Sequence, residues 1–325
     1  MNNPYLQSLN PVFYKPKFVL VNEEKLAEFA SSLTKEGLLS TPSWREMVLP
    51  ESDDGVFIDF LGLDSSINFC FTDPTSKKKF QIEYKDKVLS GSFAMSACLK
   101  RAIEEGIPIL DCGWLKNVTI EQMQHIFRGI NPIPMIEERT LIFKEVGKVL
   151  ESKYRGHFYN LFEDAEYMAF TEDKKGIVDR LITDFPSFFD VSWHEPSQDY
   201  LQFHKRAQLY VIMYQGRALD SNGKLPLIFD AEDLGPPADY RVPQVLRGLG
   251  ILKYRRALKR KIGLQKIIPA DSLEEQEIRA QMIYAMVRLC ELTGSWIGPI
   301  DYQVWSAGAN LKNSEPHHLT STIAY

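Results

Sequence analysis

Residues 234–250 read LGPPADYRVPQVLRGLG, and this stretch sets the break around which the helical part of the fold is organised. Pro236 and Pro237 end any helix that arrives from upstream, because proline lacks a backbone N–H and clashes with the preceding turn. Asp239 then opens a new segment, and we expect residues 240–260 to be rich in helix. A carboxylate near the start of a helix is favoured in its ionised form by the helix dipole. Taken alone, Asp239 is either an ordinary helix cap or a functional acid.

The segment upstream of this break is strongly apolar. Residues 200–219 read YLQFHKRAQLYVIMYQGRAL, which predicts a buried helix. Lys205 lies inside this segment, and a lone buried ammonium is costly. The side chain must therefore reach solvent or meet a counter-charge. Lys205 is either a lysine on the helix surface or a functional lysine that binds phosphate or pairs with an acid.

The segment downstream is a long amphipathic helix. Residues 272–294 read SLEEQEIRAQMIYAMVRLCELTG, with Ser272 and Glu275 at capping-box spacing and Gly294 at the end. Other helices are predicted towards the N-terminus at 23–36, at 92–106, from 119, near 137–154 and, as one or two helices, within 159–183.

Three short runs near the N-terminal end have the composition of strands. They are VFIDFL, INFCF and KFQIEY, rich in aromatic and branched residues and separated by turn residues. The sequence thus predicts a mainly α fold with a small antiparallel β-sheet near the N-terminal end, of the α+β class. We expect one compact domain over residues 1–325, with a subdomain boundary near residue 115 as the alternative.

Composition narrows the range of functions. The chain has 325 residues, of which 44% are hydrophobic and 25% charged, and its formal net charge is −5. Proteins that bind nucleic acid polymers usually carry a basic excess, so the charge argues against such a partner. The four cysteines lack C-x-x-C spacing, and no apolar run approaches the length of a membrane helix. We therefore expect a cytoplasmic protein with reduced thiols, no membrane segment and no nucleic acid partner.

The histidines do not form a metal-binding pattern. His317 and His318 are adjacent, and the other four lack a partner at H-x-x-x-H or H-E-x-x-H spacing. Phosphate-binding, dinucleotide-binding and nucleophile-elbow motifs are also missing from the sequence. The sequence therefore argues against a bound metal ion.

Residues 185–190, FPSFFD, place aromatic side chains directly before an acid. Phe189 could stack on a purine, and the Asp190 carboxylate could accept hydrogen bonds from a guanine-type N1–H and 2-amino group. The alternative is that these residues are simply aromatic core and a helix cap.

Eight segments in this order resemble the queuosine salvage family, the queuosine 5′-phosphate N-glycosylases, and together they cover nearly the full chain. They are INFCF (67–71), KRAIEEGIPI (100–109), IPMIEERTLIFKEVGKVL (133–150), FPSFFD (185–190), FHKRAQ (203–208), ADYRVPQVL (238–246), EIRA (277–280) and PHHLTSTIAY (316–325).

The resemblance implies a helical core related to the helix-hairpin-helix DNA glycosylases. It also implies hydrolysis of queuosine 5′-monophosphate to queuine and ribose 5-phosphate, without a metal or cofactor. The implied catalytic residues are Asp239, which stabilises an oxocarbenium-like state and activates water, and Lys205. The expected substrate-binding residues are Phe189, Asp190, Tyr240, Arg241, Gln244 and His318.

The chain departs from the family pattern at several contact positions. Pro236 and Pro237 stand before the Ala-Asp-Tyr-Arg segment, Met213 stands near an expected Asp, Leu319 follows the closing histidines, and Thr72 replaces a frequent Trp. These changes leave open a related 7-deazaguanine nucleoside as substrate, or a catalytically altered binder. A nucleic-acid glycosylase of the helix-hairpin-helix type is a further alternative. The oligomeric state is left open.

Overall fold

The computed structural model describes residues 3–37, 39–308 and 315–325, and over these ranges the chain is mainly helical. The helices are α1 Asn10–Phe13, α2 Glu23–Lys35, α3 Gly55–Ser66, α4 Ser92–Glu104, α5 Cys112–Leu115, α6 Ile120–Ile126, α7 Ile136–Lys153, α8 Phe158–Asp164, α9 Ile177–Asp184, α10 Lys205–Asp220, α11 Arg241–Gly248, α12 Arg256–Gly263, α13 Leu273–Thr293 and α14 Ile297–Ala307. Short 3-10 helices span Leu6–Leu9, Pro186–Phe188 and Ala231–Asp233.

The strands form three separate two-stranded antiparallel pairs within the described residues. They are β1 Val19–Val21 with β6 Leu252–Tyr254, β2 Gln81–Tyr84 with β3 Lys87–Ser90, and β4 Val191–His194 with β5 Asp199–Gln202. The α+β class is confirmed, but the single sheet near the N-terminal end is wrong. Only the pair β2–β3 arises where that sheet was expected.

The run VFIDFL forms part of helix α3, so its assignment as a strand is wrong. Asp54 caps the helix by accepting a hydrogen bond from the backbone N–H of Val56 at 2.9 Å. Ten of the twelve residues of α3 are buried, so apolar side chains occur on every face and the helical period disappears from the sequence. The run INFCF is irregular rather than a strand, whereas KFQIEY does contain β2.

Helix α10 is the buried helix at the centre of the molecule. It begins at Lys205 rather than near residue 200, because 199–202 pair as β5. Thirteen of its sixteen residues are buried, and it packs against α3, α9 and α14. Gly216 lets this helix approach the loop between α2 and α3, since a Cβ there would lie 2.4 Å from the carbonyl oxygen of Pro42.

Helices α2 and α13 lie close to their predicted bounds. The cap of α2 is Asn22, and the cap of α13 is Ser272, whose hydroxyl accepts from the N–H of Glu275. Helix α13 ends at Gly294 in the left-handed conformation (φ +68°), as predicted. The region 240–260 contains α11 and the start of α12, separated by β6.

Buried apolar side chains form one continuous cluster from Tyr5 to Val304 across the described residues. All four cysteines are free, and three of them are buried. Among the described helices, none is both long and apolar enough to cross a membrane.

Candidate active site

A cavity of about 310 Å³ lies where α3, α4, α10, α11 and α14 meet. Four of the predicted site residues line it, namely Lys205, Asp239, Tyr240 and Arg241. Other residues that line the cavity include Trp44, Asp64, Asn68, Lys79, Phe93, Ser96, Asp301, Tyr302, Trp305 and Tyr325.

Lys205 is held at the wall of this cavity as the first residue of α10. Its side-chain ammonium donates to Asn68 twice, at 2.8 Å to the backbone carbonyl oxygen and at 2.9 Å to Oδ1. Burial lowers the pKa of Lys205 to about 8, and the negative charge of Asp239 opposes this shift. The lysine therefore neither reaches solvent nor lies on the helix surface.

Asn68 is oriented by a second layer of hydrogen bonds. Its Nδ2 donates to Asp64 at 3.5 Å, and the hydroxyl of Ser96 donates to the other oxygen of Asp64. Burial raises the pKa of Asp64 to about 6. This network turns the Asn68 oxygen towards Lys205. In the sequence, the only sign of this hydrogen-bond network is the asparagine of INFCF, a run that the sequence predicts to be a strand.

Asp239 lies just before α11, and one of its oxygens caps that helix. Oδ1 accepts from the backbone N–H of Val242 at 2.8 Å, while the side chain borders the cavity. Burial raises the pKa of Asp239, and the charge of Lys205 lowers it. Asp239 is therefore both a helix cap and a carboxylate of the cavity wall, so the two interpretations of this residue are compatible.

Asp190 has a different environment from the one expected for a base receptor. It is buried in an ion pair with Arg279, at 2.9 and 2.5 Å, and the positive charge of Arg279 lowers the pKa of Asp190 against the effect of burial. Asp190 also accepts from the backbone N–H of Lys205 at 3.1 Å, and Arg279 donates to the carbonyl oxygen of Ala238 at 3.3 Å. The pair, which we call the Asp190–Arg279 clamp, thus fixes the backbone at or next to Lys205 and Asp239.

Three other predicted contacts lie outside the set of described residues that line the cavity. Phe189 is 56% exposed. Gln244 accepts from Arg241 and donates to the carbonyl oxygen of Glu315, both at 2.9 Å. His318 is buried behind the cavity, where its Nε2 lies 3.1 Å from the hydroxyl of Tyr325.

A cationic side of the cavity is formed by Arg241 and Lys79. Lys79 is exposed as a whole, but the loss of water around its side chain at the cavity wall lowers its pKa; the positive charge of Arg241 lowers the pKa further, and the negative charge of Asp239 raises it. Two neighbouring cations at a cavity wall suit a phosphate group. No local pattern marks Lys79 as a site residue, because it is the last of three consecutive lysines and the first residue of KFQIEY.

Aromatic side chains form another wall of the cavity. The rings of Trp44 and Tyr302 meet edge to face with centroids 5.7 Å apart, and those of Phe93 and Trp305 lie at the same distance with a tilt of 54°. Such surfaces suit a flat heterocyclic ligand. Within the described residues, no group of three or more His, Cys, Asp or Glu is arranged to hold a metal ion.

A carboxylate and a buried ammonium in the wall of one cavity can stabilise a developing cation and activate water, an arrangement that suits a hydrolytic enzyme. Residues 48–325 match the family model of the queuosine salvage protein, and the chain belongs to this family. A protein from Sphaerobacter thermophilus, named queuosine 5′-phosphate N-glycosylase/hydrolase, is 34% identical over 98% of this chain and 97% of its own length. Proteins of the same name from Bos taurus (29% identical, 85% of this chain and 84% of the relative) and Mus musculus (28%, 94% of each) are also similar.

Proposed function

We propose that this protein hydrolyses the N-glycosidic bond of queuosine 5′-monophosphate and releases queuine and ribose 5-phosphate. The observation that carries the proposal is the position of Asp239 and Lys205 together in the wall of one cavity. Relatives that align with nearly the whole chain bear the name of this activity.

The proposed chemistry places Asp239 beneath the ribose. Cleavage of an N-glycosidic bond passes through an oxocarbenium-like state, which a carboxylate stabilises while it also activates the attacking water. A 7-deazaguanine lacks the N7 lone pair that purines use to accept a proton. A larger part of the rate enhancement must therefore come from the carboxylate.

Lys205 keeps positive charge next to Asp239 and so favours the ionised carboxylate. Arg241 and Lys79 are proposed to hold the 5′-phosphate, and Tyr240 to contact the sugar. The departures from the family pattern at Pro236, Pro237 and Met213 affect these proposed phosphate and sugar contacts, because Pro237 and Met213 line the cavity. A preference for a nucleoside or another 7-deazaguanine nucleotide is the alternative to be tested.

Several finer parts of the proposal rest on the family resemblance. We infer that the helical core is related to the helix-hairpin-helix DNA glycosylases, with the turn before Asp239 in the place of the hairpin. We infer that the enzyme acts in the cytoplasm on a small nucleotide, without metal or cofactor, and that the released queuine is reused in tRNA modification. The net charge of −5 supports a small substrate over a nucleic acid polymer.

The direct test is incubation with queuosine 5′-monophosphate and detection of queuine by mass spectrometry. We expect Asp239→Asn to reduce turnover by ~10³-fold or more, because the developing cation loses its nearest negative charge. The variant should fold, since the amide oxygen can still accept from Val242. Retention of most of the activity would remove Asp239 from the mechanism. Product from neither protein would shift the substrate to the nucleoside or another 7-deazaguanine nucleotide.

A further inference from the structure

Residues 253–266 concentrate positive charge in a chain whose net charge is negative. They read KYRRALKRKIGLQK and include seven lysines and arginines and no acid. The segment therefore carries a formal charge of +7, which leaves −12 on the rest of the chain, whose total is −5. Helix α12 occupies the central part of the segment. None of its residues is among the described residues that line the cavity, so this charge serves no purpose in the proposed reaction.

Helix α12 presents a line of cations directly to solvent. Leu258 and Ile262 are fully buried and anchor one face of the helix on the core. Arg256 and Arg260 each lie two residues from an anchor, a rotation of about 200° around an α-helix, so they point away from the core. A Cβ at Gly263 would meet nothing within 4 Å, which agrees with open space on the outer side of the helix.

Most of these cations lack an acidic partner. Lys259 pairs with Glu315 at 2.9 Å and Lys261 pairs with Glu274 at 2.7 Å. The other five are exposed and form no ion pair with any residue that the structure describes; they are Lys253, Arg255, Arg256, Arg260 and Lys266. Their charge is therefore available to an external anionic surface.

Two exposed apolar side chains extend this basic region. Leu264 follows Arg260 at i+4 spacing, so it continues the outward line of α12, and it is 55% exposed. Ile267 is 52% exposed, although its neighbourhood is fixed by a hydrogen bond from the N–H of Ile268 to the carbonyl oxygen of Leu319 at 2.8 Å. Apolar side chains beside cations suit the boundary of a bilayer, where acyl chains lie beneath anionic head groups.

We propose that this region docks the protein on an anionic lipid membrane. We call it the α12 surface, and it consists of Lys253, Arg255, Arg256, Arg260, Leu264, Lys266 and Ile267. The cations lie at the head groups, while the two apolar side chains enter the boundary with the acyl chains.

The fold determines the kind of attachment. The apolar stripe of α12 is already occupied by the core, so the helix lies against the membrane without being inserted. A flat membrane touches one face of the protein, and the acidic remainder of the chain points away from it, whereas a polymer that wrapped around the protein would meet that negative charge. The attachment is therefore peripheral, reversible and weakened by salt. It goes beyond the proposed hydrolysis and does not depend on it.

Cosedimentation of the full chain with lipid vesicles tests the proposal. We expect binding to an equimolar mixture of phosphatidylcholine and phosphatidylserine, a loss of binding as NaCl is raised, and no binding to phosphatidylcholine alone. The double change Arg256→Gln and Arg260→Gln should weaken binding ~30-fold, because each basic residue near the surface contributes about five-fold. Leu264→Ser should weaken it ~5-fold or more, because it removes apolar area from the lipid contact.

The matched control is the double change Lys144→Gln and Lys148→Gln, which removes two cations at the same i,i+4 spacing on α7. It should keep the native affinity for the vesicles. Thermal unfolding should be unchanged in the α12 variants, because the altered side chains are exposed. Release of queuine from the free nucleotide should also be unchanged, because these residues lie outside the cavity.

The proposal is overturned if the native protein binds neither vesicle, binds both equally, or keeps its affinity in the Arg256 and Arg260 double variant. Two other occupants give distinct results that would also overturn it. An RNA partner would appear as a salt-sensitive gel shift of an RNA oligonucleotide, with Leu264→Ser without effect on either ligand. A second copy of this chain would appear as a salt-sensitive dimer in sedimentation without vesicles, lost in the double variant.

Discussion

Lys205 is an ammonium whose environment brings its titration close to neutral pH. Burial lowers its pKa to about 8, so the side chain loses its charge as pH rises through that value and not near its ordinary 10.5. If its positive charge supports Asp239, kcat/KM should fall on the alkaline side with an apparent pKa near 8. The measurement is the pH dependence of kcat/KM for queuine release between pH 5 and 10.

The Lys205→Arg variant tests whether loss of the lysine's positive charge causes the fall in kcat/KM at alkaline pH. A guanidinium stays protonated throughout this range. Whatever activity remains in that variant should persist above pH 9. An alkaline fall that is identical in Lys205→Arg and in the native protein would assign the titration to another group.

The position of Asp239 and Lys205 in one cavity could be predicted from the sequence, whereas their surroundings could not. Asp239 and Lys205 lie in segments with distinctive neighbours, so a resemblance identified them. Asp190 was misplaced because its partner, Arg279, is 89 residues away and no local pattern announces an ion pair over that distance. Asp301 was missed for a related reason, since the packing of helix α14 brings it to the cavity wall and no motif in its segment predicts that position.

Several elements depend on the Asp190–Arg279 clamp, which ties the starts of α10 and α11 to α13. Arg279→Met should reduce the free energy of unfolding by ~3–5 kcal/mol, because Asp190 is left as an uncompensated buried charge. The double variant with Asp190→Asn should lose less than the sum of the two single changes. Urea unfolding of the four proteins gives this comparison, and strict additivity would mean that the two residues act independently.

Helix α10 also supports the loop that carries Trp44 to the cavity. In Gly216→Ala the new methyl group would lie 2.4 Å from the carbonyl oxygen of Pro42 and 2.7 Å from Cδ1 of Trp44, so the loop must shift. We expect a loss of ~1–3 kcal/mol of stability and a raised KM, because the indole moves relative to the aromatic wall.

Gly263→Ala in α12 is the control for this change, since a Cβ there meets nothing within 4 Å. It should be neutral or slightly stabilising. A native KM in Gly216→Ala, measured on folded protein, would show that Trp44 does not need this position.

At the scale of elements, helices with clear caps in the sequence were predictable. Asn22 caps α2, and Ser272 and Gly294 mark the ends of α13, although residues 275–283 of α13 are buried on every face. Helix α3 is buried on nearly all sides and so has the composition of a strand. Strand β1 pairs with β6 more than 200 residues later, and local periodicity carries no information about such a partner.

At the scale of the whole molecule, residues before 115 depend on contacts from the rest of the chain. Arg139 of α7 donates to the carbonyl oxygens of Ile67 and Phe69. Glu277 of α13 accepts from the backbone N–H of Val19 at 2.6 Å. These contacts favour the single-domain prediction over a subdomain boundary near residue 115.

The prediction that follows is that residues 1–115 do not fold alone. Without the remainder of the chain, β1 lacks its partner strand and buried carbonyls near residue 67 lack the Arg139 guanidinium, and each such loss costs free energy. The isolated fragment should show no cooperative thermal transition by calorimetry, while the full chain should lose near-UV and far-UV circular dichroism signals together. A cooperative transition in the fragment, or two separate transitions in the full chain, would instead establish the N-terminal region as a subdomain. The cavity would then lie between two units, because Asn68 and Asp64 belong to one side of that boundary and Lys205, Asp239 and Asp301 to the other.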